Sequence, residues 1–214
     1  MRPFLACPAN PVSTLPPIEV LDAPAFDALV ASGRVLEASI KLGPKVVDLG
    51  QGRYFKLLRV KQKFFATWRW LNPAKRFARN ARQLQERGIP SLQVEALVHL
   101  PHKDCWGVRY RGLEGRTVRE LLRSGEFSDA QLDQLAAFIK QLHDQGVYFR
   151  GLHLGNILLL PDGRMGLIDI LDCYFRPYLF SFQRQRNFKH LFQPKDVDAK
   201  PLEARIRERY ARLG

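Results

Sequence analysis

The chain has 214 residues, enough for one domain of ordinary size or two small lobes sharing a cleft, with a substantial core. Its 34 lysines and arginines against 21 aspartates and glutamates leave a net charge of +13, which favours partners that carry phosphate: nucleic acid, nucleotide, anionic lipid or phosphorylated glycolipid. No apolar run approaches the ~20 residues of a transmembrane helix, the six residues ahead of Cys7 leave no room for a secretory signal, and three scattered cysteines argue against a disulfide framework or zinc site; a cytoplasmic location is expected.

Residues 1–23 are Pro-rich and read as an irregular arm, followed by a short helix over 24–32 that Gly33 ends. Strands are expected at 35–41, 45–49 and 54–60, with turns at Gly43-Pro44 and at Gly50-Gln51-Gly52. Lys56 falls among apolar neighbours near the middle of the third strand. The stretch from Lys61 to Trp70 interleaves basic residues with Phe64, Phe65 and Trp68; base stacking, headgroup contact and simple packing all remain open for it. A helix is expected over 72–87, with Asn72 as N-cap, Pro73 in the first turn, an apolar stripe of Phe77, Ala81 and Leu84, and Gly88-Ile89-Pro90 as the stop.

Residues 92–100 and 106–110 read as the next strand pair, and 111–117 as a linker into a helix containing Leu121 and Leu122. A long helix over 129–145 buries Leu135, Ile139 and Leu142 and stops at Gly146. Then come a tight polar segment, an apolar run at 157–160, a Pro-Asp-Gly turn and a second apolar run ending at Asp169, the pattern of a β-hairpin. Asn156 precedes the first of these strands and Asp169 closes the second, so an amide oxygen and a carboxylate converge on one point. Such a pair suits Mg²⁺, a hard cation that also accepts phosphate oxygens.

Around these residues the chain resembles the protein kinase superfamily, whose catalytic loop reads H-R-D-L-x-x-x-N, followed by a hairpin and D-F-G. Here the loop is Phe149-Arg150-Gly151-Leu152-His153-Leu154-Gly155-Asn156, and Ile168-Asp169-Ile170-Leu171 follows at the familiar separation of thirteen residues from Asn to Asp. The lead-in Leu142-His143, then Gly146, fits as well. The resemblance implies an α+β, two-lobed fold: an arm and short helix over 1–33, a small antiparallel-sheet lobe over 34–112, and a reduced helical lobe over 113–214 with basic C-terminal helices. Only 45 residues follow Asp169 and no A-P-E is present, so the large peptide-binding subdomain is not expected. In this compactness, and in the phrases RFARNARQLQERGIP and YFRGLHLGNILL, the chain is most similar to the lipopolysaccharide-core kinases and the related toluene-tolerance proteins of Gram-negative bacteria. That implies an ATP- and Mg²⁺-dependent kinase of a lipopolysaccharide-core sugar, or another phosphorylated envelope glycolipid, working at the cytoplasmic face of the inner membrane. The basic region with Arg184, Arg186, Lys189, His190 and Lys195 suits that surface.

Carried onto these positions, the resemblance gives Lys56 to the ATP phosphates, and Asn156 and Asp169 to the metal. Gly50 and Gly52, with Gly43, are all that stands for the phosphate-covering glycine loop, and Glu114 lies in the linker that would read adenine. Arg150 anchors the loop. The helix carboxylate that partners the strand lysine would fall near Asn80, which is not acidic. Gly151 stands where the catalytic Asp belongs, a loss worth ~10²–10⁴-fold in a general base. His153 could take over as base, or could simply contact phosphate or pack; Asp172 is a further candidate base. Two functions follow: the sugar kinase, favoured by Asn156 and Asp169, and a pseudokinase that binds nucleotide or acts as a scaffold regulating envelope enzymes, favoured by Gly151 and Asn80. A nucleic-acid-binding module has only the charge behind it.

Overall fold

A computed structural model describes residues 15–39, 43–58, 72–193 and 196–214. It is an α+β protein built on a six-stranded sheet in the order β1-β5-β6-β4-β3-β2. The strands are β1 (Ile18–Val20), β2 (Arg34–Ser39), β3 (Gly43–Gly50), β4 (Arg53–Leu58), β5 (Gln93–Leu100) and β6 (Cys105–Arg111). All neighbours are antiparallel except β1, which runs parallel to β5.

Period-two alternation along β4 sends Phe55 and Leu57 to one face of the sheet and Lys56 and Leu58 to the other. On the first face Phe55, Leu57, Val47 and Val98 bury Phe26 of helix α1 (Ala23–Ala31). On the second, Leu58, Leu97 and Val108 meet Phe77, Ala81 and Leu84 of helix α2 (Pro73–Glu86). The N-terminus of α2 forms as its sequence dictates: the Asn72 side chain accepts from the amides of Ala74 and Lys75, and Pro73 needs no partner in the first turn.

The rest of the chain is a helical layer with small β-ribbons. Helix α3 (Val118–Arg123) follows the short strand β7 (Arg116–Thr117), and α4 (Asp129–Asp144) comes after it. Its Leu135, Ile139 and Leu142 are fully buried in the same continuous core as Leu97 and Val108. Strands β9 (Ile157–Leu159) and β10 (Met165–Leu167) form the hairpin, and β8 (Val147–Phe149) pairs with β11 (Cys173–Phe175). Helices α5 (Ser181–Leu191) and α6 (Glu203–Arg212) close the chain. Among the described residues no helix is long and apolar enough to cross a membrane.

The structure differs from the sequence reading in three places. The arm contains β1, held at its two ends because the Pro17 carbonyl accepts from the Leu97 amide and the His99 carbonyl from the Leu21 amide, and by Glu19, which pairs with Arg109. Gly43 and Pro44 belong to β3, opposite Ser39 and Ala38, rather than to the turn before it. The basic C-terminal region is partly neutralised: Arg205 and Arg209 of α6 bind Asp129 and Asp133 of α4, and Arg184 binds Asp144. The stretch from Lys61 to Trp70, Lys41 and Lys195 lie outside the described residues.

Candidate active site

The hairpin delivers Asp169 to a point set by anchors on both sides. Upstream, the Leu167 amide donates to the Pro90 carbonyl at 2.9 Å and the Ile168 amide to the Asn156 carbonyl at 3.1 Å. Downstream, Asn80 of α2 reaches across with its side-chain amide. Its Nδ2 donates to the carbonyls of Ile170 (2.8 Å), Leu171 (3.1 Å) and Cys173 (3.2 Å). Between the anchors Asp169 takes a left-handed backbone, φ 51° and ψ 46°, a conformation that few residue types besides Gly, Asn and Asp accept readily.

From that position the Asp169 carboxylate accepts from Lys56 Nζ at 2.6 Å, a contact between residues 113 apart in the chain. The lysine side chain is 11% exposed and the aspartate 50%, so one partner is largely buried and the other is open to solvent. Lys56 is therefore held by Asp169, while Asn80, where the resemblance would put a carboxylate, holds the backbone after Asp169. Tyr110 of β6 lines the same region. Its ring stacks on Tyr54 (5.6 Å between centroids) and leans on Phe77, and burial followed by the charge of Asp169 pushes its phenol well above the usual range.

Asn156 sits in a 3₁₀ turn over Leu154–Asn156, buried, with Nδ2 donating to the Gly151 carbonyl at 2.9 Å. That bond fixes the amide's orientation and leaves Oδ1 with no protein donor among the described residues. Gly151 itself is packed for want of a side chain. A Cβ there would stand 2.7 Å from the Phe149 ring, which is fully buried, so the loop has closed over the space an aspartate would need.

His153 lines a cavity of about 470 Å³ with Arg119, Arg123 and Asp196. Burial, then the Arg119 guanidinium, lowers its pKa, so the ring is neutral near pH 7. Nδ1 accepts from the Gly155 amide at 3.2 Å, which leaves the proton on Nε2. In this arrangement His153 offers a donor; acting as a base requires that the cap bond to Gly155 be broken first.

The remaining candidates are spread around this centre. Asp172 is exposed and lies 3.7 Å from Arg76, and its carbonyl accepts from the Arg150 amide. The Arg150 side chain hydrogen-bonds the Tyr174 phenol, which raises its own pKa. Gly50 and Gly52 both have positive φ and form the β3–β4 turn with Gln51; the Gly52 carbonyl accepts from the Gly112 amide of the linker. Their local role is to make that turn, at the linker end of β4. Glu114 is exposed on the same linker. Among the described residues no group of three or more His, Cys, Asp or Glu side chains gathers as a metal cluster. Mg²⁺ in a phosphate site needs only one or two protein oxygens, however, and Asp169 and the Asn156 Oδ1 are oxygens of that kind.

The sequence reading missed Tyr110, and it placed Asn80 without seeing what it grips. The available signal was Asn80 itself, a polar residue within the apolar stripe of α2, three positions after Phe77 and four before Leu84. Comparison of the chain with protein-family models and with curated proteins gave no match.

Proposed function

We propose that this cleft binds ATP with Mg²⁺ and that the protein is a kinase-like phosphotransferase for a lipopolysaccharide-core sugar or a similar envelope glycolipid. The observation that carries the reading is the Lys56–Asp169 contact. It puts a cation and a carboxylate from distant parts of the chain at one mouth, with Asp169 in a backbone state fixed by anchors on either side. The strand order, with the lysine strand leading into α2 and then β5 and β6, agrees with the small lobe of the kinase resemblance.

The donor set fits a metal-bound nucleotide. Lys56 would release Asp169 and take phosphate oxygens, while Asp169 and Asn156 Oδ1 would hold the ion; the ion would supply charge neutralisation for the transferring phosphoryl group. The chain's own part is positioning. Asn80 keeps the segment after Asp169 in place, the Gly151–Asn156 bond keeps the loop folded, and Tyr110 stays protonated beside the carboxylate. His153 would donate Nε2–H to an acceptor group in the neighbouring cavity, whose Arg119 and Arg123 are paired with Asp196 and Asp198.

A second reading, the pseudokinase, is favoured by one specific feature: Gly151 leaves no side-chain space in the loop, so a general base at that position has been packed away. Thermal unfolding with ATP, with and without Mg²⁺, separates both readings from a protein that binds no nucleotide, because a ligand of the native state raises the apparent midpoint. Asp169→Asn is the control, since Asn also tolerates the left-handed backbone. A Mg²⁺-dependent shift in the wild type that disappears in the variant supports nucleotide binding, and no shift in the wild type overturns it. Phosphate transfer to purified core sugar then divides kinase from pseudokinase.

A further inference from the structure

A second basic pocket, lined by neither Lys56 nor Asp169, lies on the β8–β11 ribbon. The register pairs Tyr148 with Tyr174, so by strand alternation Tyr148, Arg150, Tyr174 and Arg176 project from one face, while Val147, Phe149 and Cys173 enter the core from the other. Helix α5 lies beside this face and adds Phe182 and Arg186, four residues apart on one side of the helix. The cavity between them is about 560 Å³.

Its charge is unbalanced. The side chains of Arg176 and Arg186 meet no carboxylate and donate no hydrogen bond among the described residues, whereas Arg184, on the same helix as Arg186, is bound to Asp144 and to the Tyr210 hydroxyl. His190, hydrogen-bonded to the Tyr148 hydroxyl, has its pKa lowered by burial and then by Arg150 and Arg186, so it adds no compensating or competing charge near pH 7. Three guanidinium groups line a cavity that no carboxylate lines, with Asp172 acting on Arg150 alone, and such a set suits a phosphate, which takes paired N–H donors from arginine.

The rim is apolar. Phe180 and Phe182 line the cavity yet are 52% and 64% exposed, and Tyr178 beside them is 58% exposed. The rings hold one another, Tyr178 edge-on to Phe180 at 4.7 Å and Phe180 stacked on Phe182 at 5.9 Å, as one contiguous aromatic ridge. An aromatic ridge in water is a cost unless something covers it. Aromatic rings next to arginines are the pairing that a bilayer's headgroup layer accepts, rings at the interface and cations on phosphates.

We propose that this pocket is a docking site for an anionic lipid: Arg150, Arg176 and Arg186 take the headgroup phosphate, and Tyr178, Phe180 and Phe182 enter the interfacial layer. Lipid docking at this pocket does not depend on catalysis at the Lys56–Asp169 contact.

The test is co-sedimentation of the full chain with phosphatidylcholine vesicles, with and without phosphatidic acid, at fixed ionic strength. The wild type should pellet only with the anionic vesicles. R176Q/R186Q should weaken partitioning about 30-fold, from two lost charges at the surface. F180S/F182S should weaken it at least as much, and R79Q, which removes an exposed unpaired arginine on α2, should leave it within about twofold. Circular dichroism checks that each variant is folded. Equal losses in R79Q, binding to phosphatidylcholine alone, or no loss in F180S/F182S would overturn the proposal. Two further arms do the same: inorganic phosphate releasing the wild type while F180S/F182S still binds vesicles would make this a soluble-anion site, and a single-stranded oligonucleotide competing at the pocket would make it a nucleic-acid site.

Discussion

Replacing Asn80 by Asp tests the positioning of Asp169 without touching the cleft. The two side chains have nearly the same shape, and Asn80 is 6% exposed, so the change swaps donors for acceptors at constant volume. In the wild type two N–H bonds are shared among three backbone carbonyls at 2.8, 3.1 and 3.2 Å. Removing them should cost about 2–3 kcal/mol in Asn80→Ala, from ~1 kcal/mol for each bond plus the penalty on carbonyls left buried and unpaired. Asn80→Asp adds a buried carboxylate facing those same oxygens, for a total of about 4 kcal/mol or more. The acid also gains a signature: only its protonated form can donate, so its folded pKa rises above the ordinary ~3.9, and the deficit against wild type should shrink as pH falls towards that value. Urea denaturation at pH 7 and near pH 4.5 measures both effects, with unchanged m-values as evidence of the same unfolding transition. Stability of Asn80→Asp within about 0.5 kcal/mol of wild type at pH 7 would refute the reasoning, since surface changes of no consequence fall in that range.

Restoring the missing acid by Gly151→Asp should destabilise the fold by about 1–3 kcal/mol, because its Cβ meets the buried Phe149 ring at 2.7 Å, and should not raise phosphate transfer; a stable variant with increased transfer contradicts this. Gly146→Ala should be more damaging, since φ is +69° and the new Cβ would lie 1.8 Å from the Arg176 carbonyl; failure to see a large drop in midpoint by calorimetry would show that the ribbon yields. His143 is fully buried with a pKa lowered to about 4, chiefly by burial, and its Nε2 has no partner among the described residues. Its folded pKa is depressed, so its contribution is complete above pH ~6.5 and lost as pH falls through about 4, worth up to ~3 kcal/mol. Stability curves of wild type and His143→Phe between those limits should differ by that slope, and parallel curves would exclude it.

What the sequence made legible was local. The caps and stripe of α2, the long helix α4 and the hairpin around Pro161-Asp162-Gly163 all declare themselves within a dozen residues, and the hairpin alone predicts that Asn156 and Asp169 are neighbours. What it hid was mostly long-range. Strand β1 is three residues of exposed edge with no periodicity to read, and β8 and β11 find each other across the whole hairpin. The sequence put Lys56 and Asp169 each in place but not against one another. Gly50 and Gly52 show a different ambiguity: glycines that make a tight turn with positive φ and glycines that approach a phosphate look the same in one sequence. Asn80 broke an apolar pattern for a reason visible only once the carbonyls after Asp169 were in view.

The nucleotide reading is tested most directly by paramagnetic broadening of backbone amide signals with ATP and Mn²⁺ in place of Mg²⁺. Signals of Asn156, Ile168, Asp169 and Ile170 should vanish first in the wild type and persist in Asp169→Asn at the same concentrations. Broadening centred elsewhere, or equal broadening in the variant, would mean that the amide and the acid do not hold the ion.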